Sequence, residues 1–504
     1  MCRHWRGAFL QHATLWSKLD LTWATDQLFV KTLLGRVKGS PLDITANYSV
    51  PPIHCVTLLY PFTRQIRSLK LENAALGGVE KLSMAISGPL PLFDTLEINA
   101  RGYLNGSLVV STHLFENAPN LKNFVLDISE FPSLRRFTFP NLTALNFSTR
   151  NDAYPVSELL DFLEASPTLQ WVRMRFETDL IREDVPPGRV IVLPYVETFY
   201  LNIPSYGPSC EIETHISCPF AKHVEFAYRL ECLGDNVSED IYPPSTSLGA
   251  IIHQYTEGTV ERVVLEVMRD GDFNIECSIA FRSSDGATLK LCYVHYTAEA
   301  GEEMEEILEE RLPVIFSQAF QTIRGHPLLA NIRRLCIRGG NFITHNPKLV
   351  AKAVGRLLGS MGPLENLTLD KCDLQPYLDA FLDIPLFPEA IQPTSFPHVK
   401  ELAIINPVQS FHDEEYATAI VRLARSQHAR EVPFERVVLR TTVPTLVIDE
   451  LVKFVNVVAR YVPQFIVSCV WVLHVAYRSG ADQQPPGSVN LNTKFVQELI
   501  DIGD

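Results

Sequence analysis

Four potential zinc ligands lie close together near the middle of the chain: Cys210, His215, Cys218 and His223. Zinc is bound tetrahedrally by four nitrogen or sulfur atoms, and structural sites normally use a closely spaced Cys-x2–4-Cys pair. Here the successive candidates are separated by four, two and four residues, and no Cys-x-x-Cys pair occurs in the chain. We therefore assign no metal ligand and expect no cofactor. The simpler interpretation is a loop that leads into a strand.

Catalytic signatures are absent from the sequence. It contains no Gly-x-Ser-x-Gly nucleophile elbow, no Gly-x4-Gly-Lys-Ser/Thr phosphate loop, no His-Glu-x-x-His and no Gly-x-Gly-x-x-Gly. Acid pairs such as Asp94 and Glu97 carry no weight in a chain with 58 acidic residues. We predict that the chain is not an enzyme and assign no catalytic residue.

Aromatic and arginine side chains, the types that dominate protein interfaces, recur in three neighbouring segments. In each segment they alternate with apolar residues, and alternate residues of a strand point to opposite faces. Adjacent strands lie about 4.8 Å apart, so the exposed residues of three such strands would form one contiguous surface. This surface, the Trp171 patch, comprises Trp171, Arg173, Arg175, Tyr200, Asn202 and His223. In the alternative interpretation Trp171 packs against its neighbours and the arginines pair with Glu197 or Glu225.

Two weaker candidates lie further along the chain. A second polar group on predicted strands comprises Arg334, Arg338, Asn366 and Asp370. Six glutamates between Glu302 and Glu310 suggest either a binding patch for a basic partner or the solvated face of a helix.

Composition limits the class of protein. The 504 residues are 46% apolar and 20% charged, as in globular proteins, and the net charge of −14 disfavours sequence-independent nucleic-acid binding. The longest apolar segment, Phe465 to Tyr477, is shorter than the roughly 20 residues that span a bilayer, and the N-terminal sequence lacks a signal-peptide pattern. The ten cysteines occur singly, which is typical of buried thiols in an intracellular protein. We expect a cytoplasmic or nuclear location, with no membrane or nucleic-acid partner.

One spacing pattern of three apolar residues recurs along the chain. Two other residues separate the first apolar residue from the second, and one residue separates the second from the third. We call this pattern the phrase. Its first positions are Ile66, Phe93, Leu121, Leu142, Leu169, Val196, Ala221, Val260, Ile332, Leu364, Val399 and Phe434. Successive starts are 21 to 28 residues apart up to Ala221 and 32 to 35 residues apart from Ile332 onwards. Such a near-constant period is typical of a repeat protein and disfavours the alternative, an ordinary doubly wound α/β domain.

The segments between phrases have helical periodicity. In 156–167, Val156, Leu159, Leu160 and Leu163 form one apolar stripe, and the segments 346–360 and 445–462 repeat the pattern. Each unit is therefore predicted to be a helix, a turn and a short strand. Stacking the units would give one parallel sheet with helices behind it.

This pattern resembles the leucine-rich-repeat family, in the long, irregular form found in F-box proteins. The resemblance implies an α/β solenoid with a curved parallel sheet inside and helices outside. The Asn or Cys that usually follows the strand phrase in that family is mostly absent here. The predicted divisions are an N-terminal cap (1–22), repeats (23–230), irregular repeats or an insertion with an acidic helix (231–320), repeats (321–478), and a linker with a terminal helix (479–504).

The first residues resemble the C-terminal half of an F-box, as found in fungal (basidiomycete) F-box/leucine-rich-repeat proteins. The matching residues are Cys2, Arg3, Trp5, Arg6, Leu15 and Trp16. The first F-box helix of that family would lie upstream of Met1, so either the gene model is truncated or docking has been lost. Trp5 and Trp16 are also suited to packing as a cap over the first repeat.

The resemblance implies a substrate-recognition adaptor of an SCF-type cullin-RING ubiquitin ligase. In such proteins the F-box binds the Skp adaptor and the repeats bind the protein to be ubiquitinated. The other reading is a repeat scaffold that binds a protein partner and has no link to a ligase. We therefore expect two partners, a Skp adaptor if the F-box is complete upstream and a protein substrate.

Overall fold

The structure is a computed structural model. It describes residues 3, 7, 10–21, 25–47, 57–72, 86, 88–99, 118–128, 138–149, 154–178, 180–181, 185–186, 188–204, 212–231, 260–270, 274–284, 286–296, 332–339, 364–372, 399–406, 414–429, 433–441, 457–458, 460–462 and 464–469. None of the helices in these ranges is long and apolar enough to cross a membrane.

Strands dominate the described part of the chain. They are β1 (Lys18–Leu21), β2 (Leu42–Asn47), β3 (Ile66–Glu72), β4 (Thr95–Asn99), β5 (Asn123–Ile128), β6 (Ala144–Thr149), β7 (Tyr154–Pro155), β8 (Trp171–Phe176), β9 (Leu180–Ile181), β10 (Ile191–Val192), β11 (Thr198–Pro204), β12 (Ile216–Ser217), β13 (His223–Glu231), β14 (Val260–Asp270), β15 (Asn274–Ser283), β16 (Thr288–Tyr296), β17 (Arg334–Gly339), β18 (Asn366–Asp370), β19 (Glu401–Ile405), β20 (Arg436–Thr441) and β21 (Gln464–Cys469). The α-helices are α1 (Gln27–Val37), α2 (Val156–Glu164) and α3 (Glu414–Ala429). Single 3-10 turns occupy Ala13–Trp16, Tyr60–Gln65 and Ile212–His215.

Seventeen of the strands form one sheet. From β1 to β6, and on through β8, β11 and β13, each strand pairs in parallel with the next. The sheet continues with β16, β15 and β14, and then with β17 to β21. Within this sheet β15 alone runs antiparallel to its neighbours. The α/β class predicted from the sequence is therefore confirmed, with a large and mostly parallel sheet.

The irregular region after residue 231 contributes three of these strands in reversed spatial order. A chain that advanced by one strand at a time would place β14 beside β13. Instead β16 pairs with β13, and β14 pairs with β17, so that the hairpins of β14, β15 and β16 fill the space between them. The sheet is continuous across the region. The acidic segment 301–316 and the terminal segment 479–504 lie outside the described residues.

The recurring phrase determines which face of each strand is buried. Every apolar residue of the twelve phrases has at most 9% of its surface exposed. The phrases also stand in register on neighbouring strands: Leu96 pairs with Phe124, and Phe147 pairs with Met174. A register shift of one residue would turn these side chains to the opposite face, so their burial fixes the pairing.

Phenylalanines from successive units pack against one another in this core. The ring centroids of Phe147 and Phe176 lie 5.7 Å apart, and those of Phe199 and Phe226 also lie 5.7 Å apart. These separations lie within the range of favourable tilted aromatic contacts. Aromatic packing therefore links one strand to the next on the buried side of the sheet.

The turns before the strands are linked by side-chain hydrogen bonds. Each turn has a proline followed by a residue that points back to the preceding turn. Asn120 donates from Nδ2 to the carbonyl oxygen of Pro91 at 2.8 Å, and Asn141 donates to that of Pro119 at 3.0 Å. Thr168 continues the series with a 3.0 Å bond to the next proline carbonyl in the row. We call this series the turn ladder.

The helices agree with the sequence where they are described. The predicted apolar stripe of α2, which includes Leu159 and Leu163, is buried. At the start of α1 the side chain of Asp26 accepts a hydrogen bond from the backbone N–H of Leu28 at 2.9 Å and caps the helix. The predicted helices at 346–360 and 445–462 lie outside the described residues, except for the short pieces 457–458 and 460–462.

The core register can be tested at two adjacent residues of β6. Phe147 is buried, whereas the preceding Asn146 lies on the opposite face and is half-buried. We expect Phe147→Ala to lower the free energy of unfolding by about 3–5 kcal/mol, because it removes a fully packed ring. The control Asn146→Ala should change it by less than about 0.5 kcal/mol. Urea unfolding followed by circular dichroism measures both, and equal losses would contradict the assigned register.

The sequence predicted buried thiols, and the described part of the chain holds four buried cysteines at 218, 292, 336 and 372. Burial raises the pKa of the Cys218 thiol to about 12. Because the thiolate is the reactive form, we expect iodoacetamide at pH 8.5 to leave Cys218 unmodified in the folded protein and to alkylate it in guanidinium chloride. Peptide mass spectrometry measures the two yields. Equal alkylation in both conditions would show that Cys218 is not buried.

Candidate protein-binding surface

One face of the sheet carries the side chains that alternate with the buried phrases. We call it the open face. Its side chains stand in rows across the strands, because the parallel pairing keeps equivalent positions side by side. One row contains Trp171, Thr198 and His223, and the next contains Arg173 and Tyr200.

The structure brings all six residues of the Trp171 patch together on the open face. Arg175 and Asn202 are paired in the third row, next to the two rows just described. The patch thus spans three adjacent strands, β8, β11 and β13. Its geometry agrees with the sequence analysis, whereas its role in binding stays a prediction.

Trp171 is the most apolar member of the patch and remains 37% exposed. Its neighbours in the row are Ala144 on β6 and Thr198 on β11, which are too small to cover an indole ring. Part of the Trp171 side chain is covered, and the rest faces away from the sheet surface as an exposed apolar area. An exposed tryptophan with small neighbours offers a large apolar area to a partner at low entropic cost.

The arginines of the patch are held by different contacts. The guanidinium carbon of Arg173 lies 5.2 Å from the centroid of the Tyr200 ring, a cation–π arrangement. Arg175 instead contacts Glu177, which directly follows the end of β8, with Nη2 3.4 Å from Oε1. Stacking on an aromatic ring orients Arg173 and leaves its hydrogen-bond donors available to a ligand.

The carboxylates considered as alternative partners of the arginines are bound by lysines. Lys222 Nζ lies 3.1 Å from Glu197 Oε2, and Lys290 Nζ lies 3.3 Å from Glu225 Oε1. Within the described residues, no carboxylate lies within 4.0 Å of the Arg173 guanidinium group. Among the described residues neither arginine pairs with Glu197 or Glu225, and Arg173 has no carboxylate partner there.

Tyr200 and Asn202 form the more buried part of the patch. Asn202 donates from Nδ2 to the Tyr200 hydroxyl oxygen at 3.1 Å, and the Tyr200 ring packs against Ala227 and Cys292. Burial raises the pKa of Tyr200, so that its hydroxyl stays protonated and can donate a hydrogen bond. The Asn202 side chain is buried, and its Oδ1 atom has no hydrogen-bond partner among the described residues. A partner that donates to this oxygen would satisfy it.

Two further aromatic residues beside the patch were missed by the sequence analysis. Tyr195 and Phe220 follow Pro194 and Pro219, the positions that asparagine and threonine occupy in the turn ladder. They are 62% and 72% exposed. They precede β11 and β13 by the same number of residues, so they lie side by side at the start of the patch strands. The replacement of a ladder residue by an aromatic one after proline is the signal that would have identified them.

The N-terminal segment is described only in part. Cys2, Trp5 and Arg6 lie outside the described residues, and Arg3 is exposed. Trp16 is partly buried against the core, with the Arg36 guanidinium carbon 4.6 Å from its ring centroid, whereas Leu15 is 52% exposed. Since β1 follows directly and forms the edge of the sheet beside β2, this segment lies at one end of the structure.

Apolar residues of α1 add to the exposed surface at this end. Leu28 and Phe29, in the first turn of the helix, are largely exposed although they are apolar. The 3-10 turn that carries Leu15 packs against the same helix. This end of the sheet therefore presents apolar side chains that the rest of the described chain does not cover.

The described members of the cysteine and histidine group lie in different environments. Cys218 is buried, and His215 Nδ1 lies 2.7 Å from the backbone carbonyl oxygen of Arg189. His223 is on the open face of the sheet, and Cys210 lies outside the described residues. Within the described ranges, no group of three or more His, Cys, Asp or Glu residues is arranged to hold a metal ion.

Comparisons with known proteins do not identify a family. No family model matches the chain, and a search of curated proteins found no match.

Proposed function

We propose that the chain is a leucine-rich-repeat solenoid that binds a partner protein on its open face. The observation that carries this proposal is the Trp171 patch. Its exposed tryptophan, stacked arginine and buried but unsatisfied amide are held on three neighbouring strands whose other face is core. A rigid sheet orients such groups before the partner arrives, which lowers the entropic cost of binding.

Within this proposal the chain acts as a substrate-recognition adaptor of an SCF-type ubiquitin ligase. The support is the match of the N-terminal segment to the second half of an F-box, together with the exposed Leu15, Leu28 and Phe29 at that end of the sheet. Exposed apolar side chains in a cluster are typical of an interaction surface. The second candidate function, a scaffold without a ligase link, uses the same open face and differs only at this end.

The ligase role predicts direct binding to a purified Skp adaptor. We would measure it by calorimetry with the chain as given and with a version extended upstream. We expect Leu15→Asp to weaken binding at least about tenfold, because it places a charge in an apolar contact. The matched control is Leu92→Asp, another exposed leucine, which lies in the turn before β4. Absence of binding by both versions would leave the scaffold function.

If the partner binds on the open face, substitutions in the Trp171 patch should weaken its binding. We expect Trp171→Ala/Arg173→Ala to recover at least about tenfold less of a specific partner than the wild type in quantitative affinity purification. The control Asn123→Ala/Val125→Ala changes the same two rows on β5, two strands away. Recovery of the same proteins in equal amounts by all three forms would contradict the proposal.

A further inference from the structure

Basic side chains of the open face generally pair with an acid on the neighbouring strand. Lys70 Nζ lies 2.8 Å from Glu97, and Arg436 Nη1 lies 3.3 Å from Glu401. The same arrangement joins β13 to β16 through Glu225 and Lys290. Cross-strand pairs of opposite charge stabilise a sheet modestly and keep its surface neutral.

This pattern breaks where β15, β14 and β17 lie side by side. Their register places Arg282, Arg262 and Arg334 directly next to one another in a single row. Like charges in this position destabilise a sheet. Arg334 has an acid nearby, with Nε 3.6 Å from Glu261 Oε1, but no described carboxylate lies within 4.0 Å of the Arg262 or Arg282 guanidinium groups.

A fourth arginine approaches from another row of the same face. Arg338 lies on β17 and faces Glu266 at 3.8 Å and Asp370 at 3.4 Å. The contact to Asp370 is made by Arg338 Nε, so Arg338 has acids on both neighbouring strands. In contrast, Arg282 Nε is buried and has no hydrogen-bond partner among the described residues. A buried, unsatisfied guanidinium N–H is costly, so Arg282 Nε is a donor without its acceptor.

The charges of these arginines also act on one another. The pKa of Arg282 is lowered by burial first, and then by the charges of Arg262 and Arg338. Burial also raises the pKa of the Cys336 thiol, which Arg262 and Arg338 both oppose. Arg262 also forms a hydrogen bond with the Cys336 side chain, which places its guanidinium group over this thiol.

The floor between these arginines is apolar. Ala280, Val264 and Cys336 form the middle row on the same three strands, and Val264 and Cys336 are buried. An apolar floor excludes water from one side of the charges above it, which strengthens hydrogen bonds between ionic groups. Arginine is also the residue whose planar donors best match carboxylate and phosphate oxygens.

We propose that Arg262 and Arg282 form an oxyanion-binding site for a carboxylate or phosphate on an extended, acidic peptide segment of a partner. The chain carries a net charge of −14, so two adjacent arginines without a carboxylate partner among the described residues are a local exception that an anion would compensate. The two arginines lie in one row that runs across an open sheet surface. An extended peptide segment can lie along such a row.

The site shares the open face with the Trp171 patch. The row that contains Trp171 and His223 continues through Thr288 to Arg282. At about 4.8 Å per strand, Trp171 and Arg282 are about 19 Å apart, a distance that six extended residues span. The proposal does not rest on the proposed function, because anion binding here needs neither the Trp171 patch nor the ligase.

The test uses three short fluorescent peptides of otherwise neutral sequence with a central serine, glutamate or phosphoserine. Fluorescence anisotropy with the full chain at low ionic strength measures their binding. We expect the phosphoserine peptide to bind at least about tenfold more tightly than the serine peptide, with the glutamate peptide between them. A phosphate carries more charge and more acceptor oxygens than a carboxylate.

Variants then assign the site. We expect Arg282→Ala and Arg262→Ala each to weaken phosphoserine-peptide binding about tenfold, and Arg282→Lys to retain part of it. The control Lys70→Ala removes a basic residue of the same face that is already paired, and it should leave binding unchanged. The variant Trp171→Ala/Arg173→Ala should also retain binding, which separates a failure of this site from a failure of the Trp171 patch.

Stability distinguishes a binding role from a structural one. Because Arg282 lies beside two like charges, Arg282→Ala should leave the melting temperature unchanged or raise it. Equal affinity for all three peptides, unchanged affinity in Arg282→Ala, or a large loss of stability in that variant would each overturn the proposal. Competition by inorganic phosphate as strong as by the phosphoserine peptide would overturn the peptide part of it.

Discussion

Burial of one face of every strand is the constraint on which the rest of the structure depends. The recurring apolar phrase places large side chains at fixed positions, and its residues lie in register from β3 to β13. Because side chains alternate along a strand, burial of one set fixes the rows of the other set. The open face is therefore ordered by the core, and its residues need no contacts of their own to stand side by side.

Because the open face is ordered in this way, side chains that lack the usual partner in their row can be recognised. In rows with a purely structural role, a charged residue pairs with a residue of opposite charge on the neighbouring strand, as Lys70 does with Glu97. Arg173 has an aromatic ring in place of an acid, and Arg262 and Arg282 stand beside each other. Asn202 keeps a buried oxygen without a donor among the described residues. These departures cost stability, and they are concentrated on a few neighbouring strands, which is the arrangement expected where a partner supplies the missing contacts.

Sequence alone could predict the parts that follow from local pattern. The phrase identified the buried residues of twelve strands, and the alternation within β8, β11 and β13 predicted the Trp171 patch. Strands in which the first position of the phrase holds a less typical residue were missed by the sequence analysis. That residue is Trp16 before β1 and Gly286 before β16. The pairing of Arg262 with Arg282 was not predicted, because it depends on the antiparallel register of β14 and β15, where the repeat pattern is interrupted. The exposed Tyr195 and Phe220 required knowledge of the turn ladder, which only the structure shows.

The central claim is that a protein partner covers the open face at the Trp171 patch. Hydroxyl-radical footprinting of the complex, read by mass spectrometry, tests it most directly. The claim predicts that the partner lowers the oxidation of Trp171 and Tyr200 and leaves Tyr60 unchanged, an exposed residue in the turn before β3. Unchanged oxidation of Trp171 and Tyr200 in a complex that protects Tyr60 would contradict it.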